Sequence, residues 1–137
     1  MEINCRNEIQ ELHSFFEDWF NGVIEKTRLN FKRVSEVLHP NFNLIPPNGI
    51  ILSRKRLLEM IWDSHGSRKQ SDDLMTIWTK NYRFRLMSET YFLVVYEEWQ
   101  RIDNKDKGRI STAIMMKQNN RYQNLIWYTV QETWLIE

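Results

Sequence analysis

From Leu74 onward the chain reads as four long runs of strand character in succession: "LMTIWTKNYRFRLM", "TYFLVVYEEWQRI", "GRISTAIMMKQ" and "LIWYTVQETWLI". Short polar junctions such as "DNKDKG" and "QNNRY" part them, and the runs read as an antiparallel meander. Strands of this length twist and curl, which gives the sheet a concave side that helices can cover and a cone with a cavity inside it. In "YFLVVYEEW" both registers are apolar, because Tyr91, Leu93, Val95 and Trp99 alternate with Phe92, Val94 and Tyr96. A sheet with one wet face does not look like this. Helices cover only one side, so the convex face is expected to pack on a second subunit, as a homodimer or a larger homo-oligomer.

The helices precede the meander. Between Asn7 and about Ile24, Ile9, Leu12, Phe15, Phe16, Trp19, Phe20 and Val23 recur at helical spacing, with Glu8, Glu11, Glu17 and Asp18 on the remaining arc. A shorter helix is predicted over Phe31 to Leu38, stopping near Pro40, which disfavours helical geometry at His39. Phe42 to Ile45 reads as extended, and "PPNG" with Gly49 turns it back as a small hairpin. Ser53 then caps a third helix carrying Leu57, Leu58, Ile61 and Trp62, with Gly66 as its stop. The expected fold class is α+β, with N-terminal helices packed on the concave face of a strongly curved antiparallel sheet. Residues 1–137 are expected to form a single domain.

Nineteen basic against 18 acidic residues leave a formal charge of +1, so no global field favours nucleic acid or an anionic membrane. No run approaches the roughly 20 apolar residues that span a bilayer. The single Cys5 cannot form an internal disulfide, which fits a reducing compartment, and the cytoplasm is the expected location. Histidine is sparse and shows no metal-ligand spacing. Phosphate-cradling glycine loops, Gly-x-Ser-x-Gly elbows and Cys-x-x-Cys pairs do not occur, so neither a cofactor nor a metal is expected.

Two acids interrupt apolar registers. Glu97 alternates with Tyr91, Leu93, Val95 and Trp99, and Glu132 with Tyr128, Val130 and Trp134. Facing a cavity, such a carboxyl would be desolvated, its pKa raised, and one of the two equipped as general acid or base. The other reading has them bonded to backbone or to an arginine at the sheet edge. His65, beside Trp62 and Asp63, is a candidate for the pocket rim or a favourable cation near a helix C-terminus. His39 reads as a helix-terminal residue, and Arg83 and Arg85 as the solvated register of their strand.

Three stretches, "LHPNFNLIPPNGIILSRKRLLEMIW", "LMSETYFLVVYEE" and "WYTVQETW", resemble the SnoaL-like branch of the nuclear transport factor two-like superfamily. The last is similar to a family ending Trp-x-x-Val-His-Glu-His, matched at Trp127, Val130 and Glu132, while Gln131 and Thr133 stand where the histidines would be and Asn41 replaces an aspartate. The resemblance implies a cone-shaped, cystatin-like fold. It also implies isomerase, cyclase or dehydratase chemistry at a pocket carboxylate. "LLEMIWDSHGSRK" is similar to the helix and loop beside the pocket of the calcium/calmodulin-dependent kinase association domain. By that comparison Trp62 lies at the rim, and Glu97, Ala113 and Trp134 fall where the relative has pocket arginines, which favours a small apolar, neutral or cationic ligand.

Two functions remain open. One is a small-molecule-binding domain with an aromatic pocket built from Trp19, Trp62, Trp99, Tyr128 and Trp134, rimmed by His65 and using Glu97 or Glu132. The other is a structural or oligomerisation module whose cavity is incidental and whose aromatics are core packing.

Overall fold

The computed structural model describes residues 1–69 and 74–135. In chain order the elements are α1 (Glu2–Phe20), α2 (Arg28–Ser35), β1 (Leu38–Ile45), β2 (Leu52–Ser53), α3 (Arg54–Asp63), β3 (Thr76–Leu86), β4 (Tyr91–Ile102), β5 (Lys105–Lys117), a short 3-10 turn at Tyr122–Asn124, and β6 (Leu125–Trp134). The expected meander is present: β3, β4, β5 and β6 are joined antiparallel in sequence order. The helices pack on one face of this sheet, the concave one, as the α+β reading requires.

The sheet is mixed, however, with the order β2-β1-β6-β5-β4-β3. β1 lies parallel to β6 through pairs such as Leu44↔Val130, while β2 folds back antiparallel on β1. Local alternation reveals which segments are extended, not which distant segment each one pairs with. The hairpin turn does form as expected, with Gly49 at φ +80° and its N–H donating to the Pro46 carbonyl at 2.9 Å.

Helix boundaries shift for identifiable reasons. α1 stops at Phe20, four residues before Ile24, because Gly22 takes φ +69° and the Trp19 and Phe20 carbonyls accept the Gly66 and Arg68 N–H groups (2.9 and 3.0 Å). The Thr27 hydroxyl caps α2 through the Asn30 N–H at 3.1 Å, so this helix starts and ends earlier than its apolar residues alone suggest. Ser53 caps α3 as predicted, accepting from the Arg56 N–H at 3.1 Å.

The core lies between α1 and the sheet. Ile9, Leu12, Phe15 and Trp19 of α1 meet Phe92, Val94, Ala113, Met115 and Trp127, all buried. One ion pair is sealed inside it: the fully buried Glu8 carboxylate accepts both Arg33 guanidinium nitrogens (2.7 and 3.2 Å) and the Trp127 indole N–H (3.0 Å). Burial pushes the Glu8 carboxyl above its ordinary value, against the pull of Arg33. The outer face carries the other register of β4, where Leu93 and Val95 are half-buried beside Ile114 and Ile110 of β5.

Two bulges set the side-chain directions that matter for the site. In β3 the pairing slips by one residue between Lys80 and Arg83, with Asn81 at φ 57°. In β6 it slips between the pairs Ile114↔Thr129 and Met115↔Trp127, leaving Tyr128 as the extra residue. Leu125 and Trp127 therefore point inward before the slip, and Val130 and Glu132 after it.

Candidate functional site

Where α1 and α3 stand off the sheet they enclose, with β1, a half-open cavity of about 150 Å³. Most of its wall is apolar, including Leu12, Phe16 and Phe20 of α1, Phe42 and Leu44 of β1, Leu57 and Ile61 of α3, and Ile77 and Val130 of the sheet. The remainder is a polar wall made by His13, Tyr96, Glu98, Gln100, Arg109 and Glu132. An apolar cavity of roughly 150 Å³ is large enough to take up benzene.

The polar wall is a connected set. The Glu98 carboxylate meets His13 Nε2 at 2.9 Å and accepts from Arg109 Nη2 at 2.7 Å and Gln100 Nε2 at 2.6 Å. His13 Nδ1 lies 2.7 Å from the Ile9 carbonyl, which can only accept, so the Nδ1 proton is fixed there. Nε2 and a carboxylate oxygen are both acceptors, so the 2.9 Å contact between His13 and Glu98 requires one proton between them. Burial alone would raise the Glu98 carboxyl, but His13, Arg109 and Gln100 together hold it down to about 2.

Glu132 is differently placed. It is 7% exposed, and its one ion-pair contact among the described residues is Arg109, whose Nε lies 3.0 Å from Oε2 without the alignment of a hydrogen bond. Burial dominates and pushes this carboxyl up to about 7, with Arg109 pulling the other way. The phenol of Tyr96, also buried, is raised well above its ordinary value by the same loss of solvent. Two carboxylates therefore flank one arginine, one firmly ionised and one able to exchange a proton near neutrality.

Of the two acids singled out from sequence, Glu132 lines the cavity and Glu97 does not. Glu97 lies on the outer face, accepting from Asn81 Nδ2 at 2.8 Å and from Trp99 Nε1 at 2.9 Å, and those bonds hold its carboxyl below the ordinary value. The inward register of β4 is Phe92, Val94, Tyr96, Glu98, and Glu98 occupies the position expected of Glu97, ionised and bonded on both oxygens. With both registers apolar, alternation gave no means of choosing between the neighbouring acids.

The expected aromatic lining is likewise corrected. Trp19 is core, fully buried behind the cavity, with its indole N–H donating to the Ile61 carbonyl at 2.7 Å. His65 packs edge-on against it at 4.6 Å and donates to the Ile24 carbonyl at 2.7 Å, so it is a structural clamp. Trp62 sits outside in a groove between α2 and α3, with the Arg28 guanidinium 3.9 Å from its ring centroid. Arg54 in that groove is engaged by the Leu38 and Ser35 carbonyls (3.3 and 2.6 Å). Trp99 stacks on Trp78 across the outer face. Tyr128 is turned out by the bulge and faces His39 at 5.0 Å, while Trp134 is 43% exposed under Lys107. Phe16, Phe20, Phe42, Tyr96 and Trp127 supply the aromatic surface instead.

Arg109 is the residue that sequence reading missed entirely. Its register, Arg109, Ser111, Ala113, Met115, is the inward one of β5, and the arginine thought to be missing from the pocket enters there.

Comparison with known proteins identifies the fold. A solved structure from Pseudomonas aeruginosa, an NTF-2 like protein of unknown function, superposes with a TM-score of 0.83 over 97% of this chain and 99% of its own, at 20% identity. The CamKII hub homology domain of Chlamydamonas reinhardtii gives 0.64 over 98% of both chains, at 12% identity. These likenesses establish the nuclear transport factor two-like fold. Among curated proteins, "Probable sucrose-phosphatase 2" of Arabidopsis thaliana is 20% identical over 96% of this chain, which spans only 30% of that relative's length. The family model described as sucrose-6-phosphate phosphohydrolase C-terminal matches residues 5–136, and with that match the chain belongs to this family.

Proposed function

We propose that residues 1–137 act as one domain that binds a small, largely apolar molecule in the cavity under α1. The observation that carries this reading is Glu132, a buried carboxyl with an elevated pKa and no aligned donor, set in the polar wall of a mostly apolar cavity. The resemblance to SnoaL-like proteins supports general acid–base chemistry of the isomerase, cyclase or dehydratase kind, with Glu132 as the proton-exchanging group. The chain spans 30% of the sucrose-phosphatase relative, and in a longer protein of that kind the cavity would serve as a ligand-sensing module beside another activity. The free, buried Cys5 fits work in the cytoplasm. Among the described residues no helix is long and apolar enough to cross a membrane.

A screen of small aromatic and alicyclic compounds by thermal shift tests this. Several should raise the Tm of the wild type and none that of Val34→Phe, which fills the cavity. A screen without a single stabilising compound sinks the reading.

Association through the outer face is the second function we propose, supported by the half-buried Leu93, Val95 and Ile114 and the 37% exposed Ile110, adjacent on β4 and β5. The hub likeness fits a homodimer of this kind. Light scattering at micromolar concentration should give a dimer, and Val95→Glu a monomer. A wild type that is monomeric at that concentration removes this reading.

A further inference from the structure

The polar wall names the chemistry of its ligand through the bonding capacity it leaves unused. Glu98 is engaged on both oxygens, one on His13 and the other on Arg109 and Gln100. His13 spends both ring nitrogens, on Ile9 and Glu98. Two groups remain. Among the described residues the Glu132 carboxyl has no hydrogen-bond donor, and the buried Nε–H of Arg109 beside it has no aligned acceptor. Buried polar groups left in this condition are uncommon, and each costs stability until a partner arrives.

Charge narrows the choice further. Facing Glu132 are Arg109 from β5, Glu98 and Tyr96 from β4, and His13 from α1, while β1 and α3 bring only apolar side chains to the cavity. With one proton between them His13 and Glu98 are neutral as a pair, and Arg109 balances Glu132. An ammonium or a carboxylate would enter this buried set as an uncompensated charge, unless a proton moved with it.

We infer that the cavity takes an uncharged alcohol or phenol, with an apolar body of about benzene's size and its hydroxyl bridging Glu132 and the Arg109 Nε–H from the cavity side. This rests on the pocket reading given above. A hydroxyl both donates and accepts, so a single group satisfies both unused positions. It also serves either state of Glu132, donating to the carboxylate or accepting from the acid. A carbonyl can only accept and so leaves the ionised Glu132 unmet. A free sugar, with hydroxyls on every side, would strand most of them against Leu12, Phe16 and Leu44.

Four near-isosteric probes test this by titration calorimetry of the full chain at neutral pH: benzyl alcohol, toluene, benzylamine and benzoate, each in two buffers of different ionisation enthalpy. Benzyl alcohol should bind at least about tenfold more tightly than toluene, the size expected of a hydrogen bond to a charged group. It should exchange almost no protons. In Glu132→Gln that preference should shrink to within about threefold while toluene binds as before, and Glu97→Gln on the opposite face should leave every probe unchanged. Toluene binding as tightly as benzyl alcohol overturns the inference but keeps the pocket. So does benzylamine or benzoate binding most tightly, with about one proton released or taken up. Failure of all four probes to bind removes the pocket reading itself.

Discussion

Replacing Glu132 by Gln keeps the shape of the side chain and removes its proton equilibrium, and the structure fixes the sign and size of the result. In the folded chain burial holds this carboxyl near 7, against an ordinary value of 4.5. The folded state therefore binds the proton more tightly than the unfolded state does. Stability from this group is fully present below the unfolded value, falls as pH rises through the folded one, and is level above it. At about 1.4 kcal/mol per pH unit over that interval, the wild type loses about 3 kcal/mol between acid and pH 8. Gln cannot lose it. Denaturant titrations of both proteins at half-unit steps from pH 4.5 to 8 should give nearly equal stabilities at the acid end. At pH 8 the variant should lead by about 3 kcal/mol, or roughly 10 °C in Tm. Glu98 does not confuse the comparison, because its carboxyl is held down to about 2, so its contribution is lost only in stronger acid and in both proteins alike. A variant that is less stable at pH 8, with the gap closing in acid, would refute the reasoning and make the Arg109–Glu132 contact a structural salt bridge.

Four further outcomes follow from particular contacts. Gly108→Ala should cost about 1–3 kcal/mol in a denaturant titration, because a Cβ there would lie 2.6 Å from the Trp99 ring, and Trp99→Leu should recover part of that loss. Trp127→Ala should lower stability by about 3–5 kcal/mol, whereas Trp134→Ala, 43% exposed, should cost no more than about 1 kcal/mol. Arg33→Ala should cost about 3–5 kcal/mol by leaving the buried Glu8 without its partner, and Glu8→Gln in the same chain should restore part of it, both read as denaturant midpoints. Cys5 should resist thiol reagents in the native protein, since burial pushes its thiol to about 11, and react once guanidinium unfolds the chain.

Elements were legible in the sequence wherever a period was long or a turn residue decisive. The meander, the capped α3 and the Gly49 turn follow from local chemistry. The cavity face was less legible because it depends on parity, and parity was lost at two points. In β4 apolar residues fill both registers, so nothing local distinguishes Glu97 from Glu98. In β6 a single inserted residue turns Tyr128 outward, although the same alternation correctly pairs Val130 with Glu132. Trp134 keeps the inward parity but lies at the strand's end, where little is left to cover it. His13 and Arg109 come together from elements far apart in sequence, and only the packing of α1 over the sheet brings both to Glu98.

The position of β6 between β1 and β5 has a bearing on how the chain reaches this state. Thr129 bonds Asn43 across 86 residues of sequence, and such distant pairings are slow because loop-closure entropy opposes them before any contact repays it. Until Leu125–Trp134 is available, β1 and β5 each keep an unpaired edge toward the gap, which invites pairing with the edge of another chain. A nascent or truncated chain lacking that segment should therefore aggregate more readily than its apolar content alone suggests. It would also lack Val130 and Glu132, so ligand capture becomes possible only once the gap in the sheet is filled.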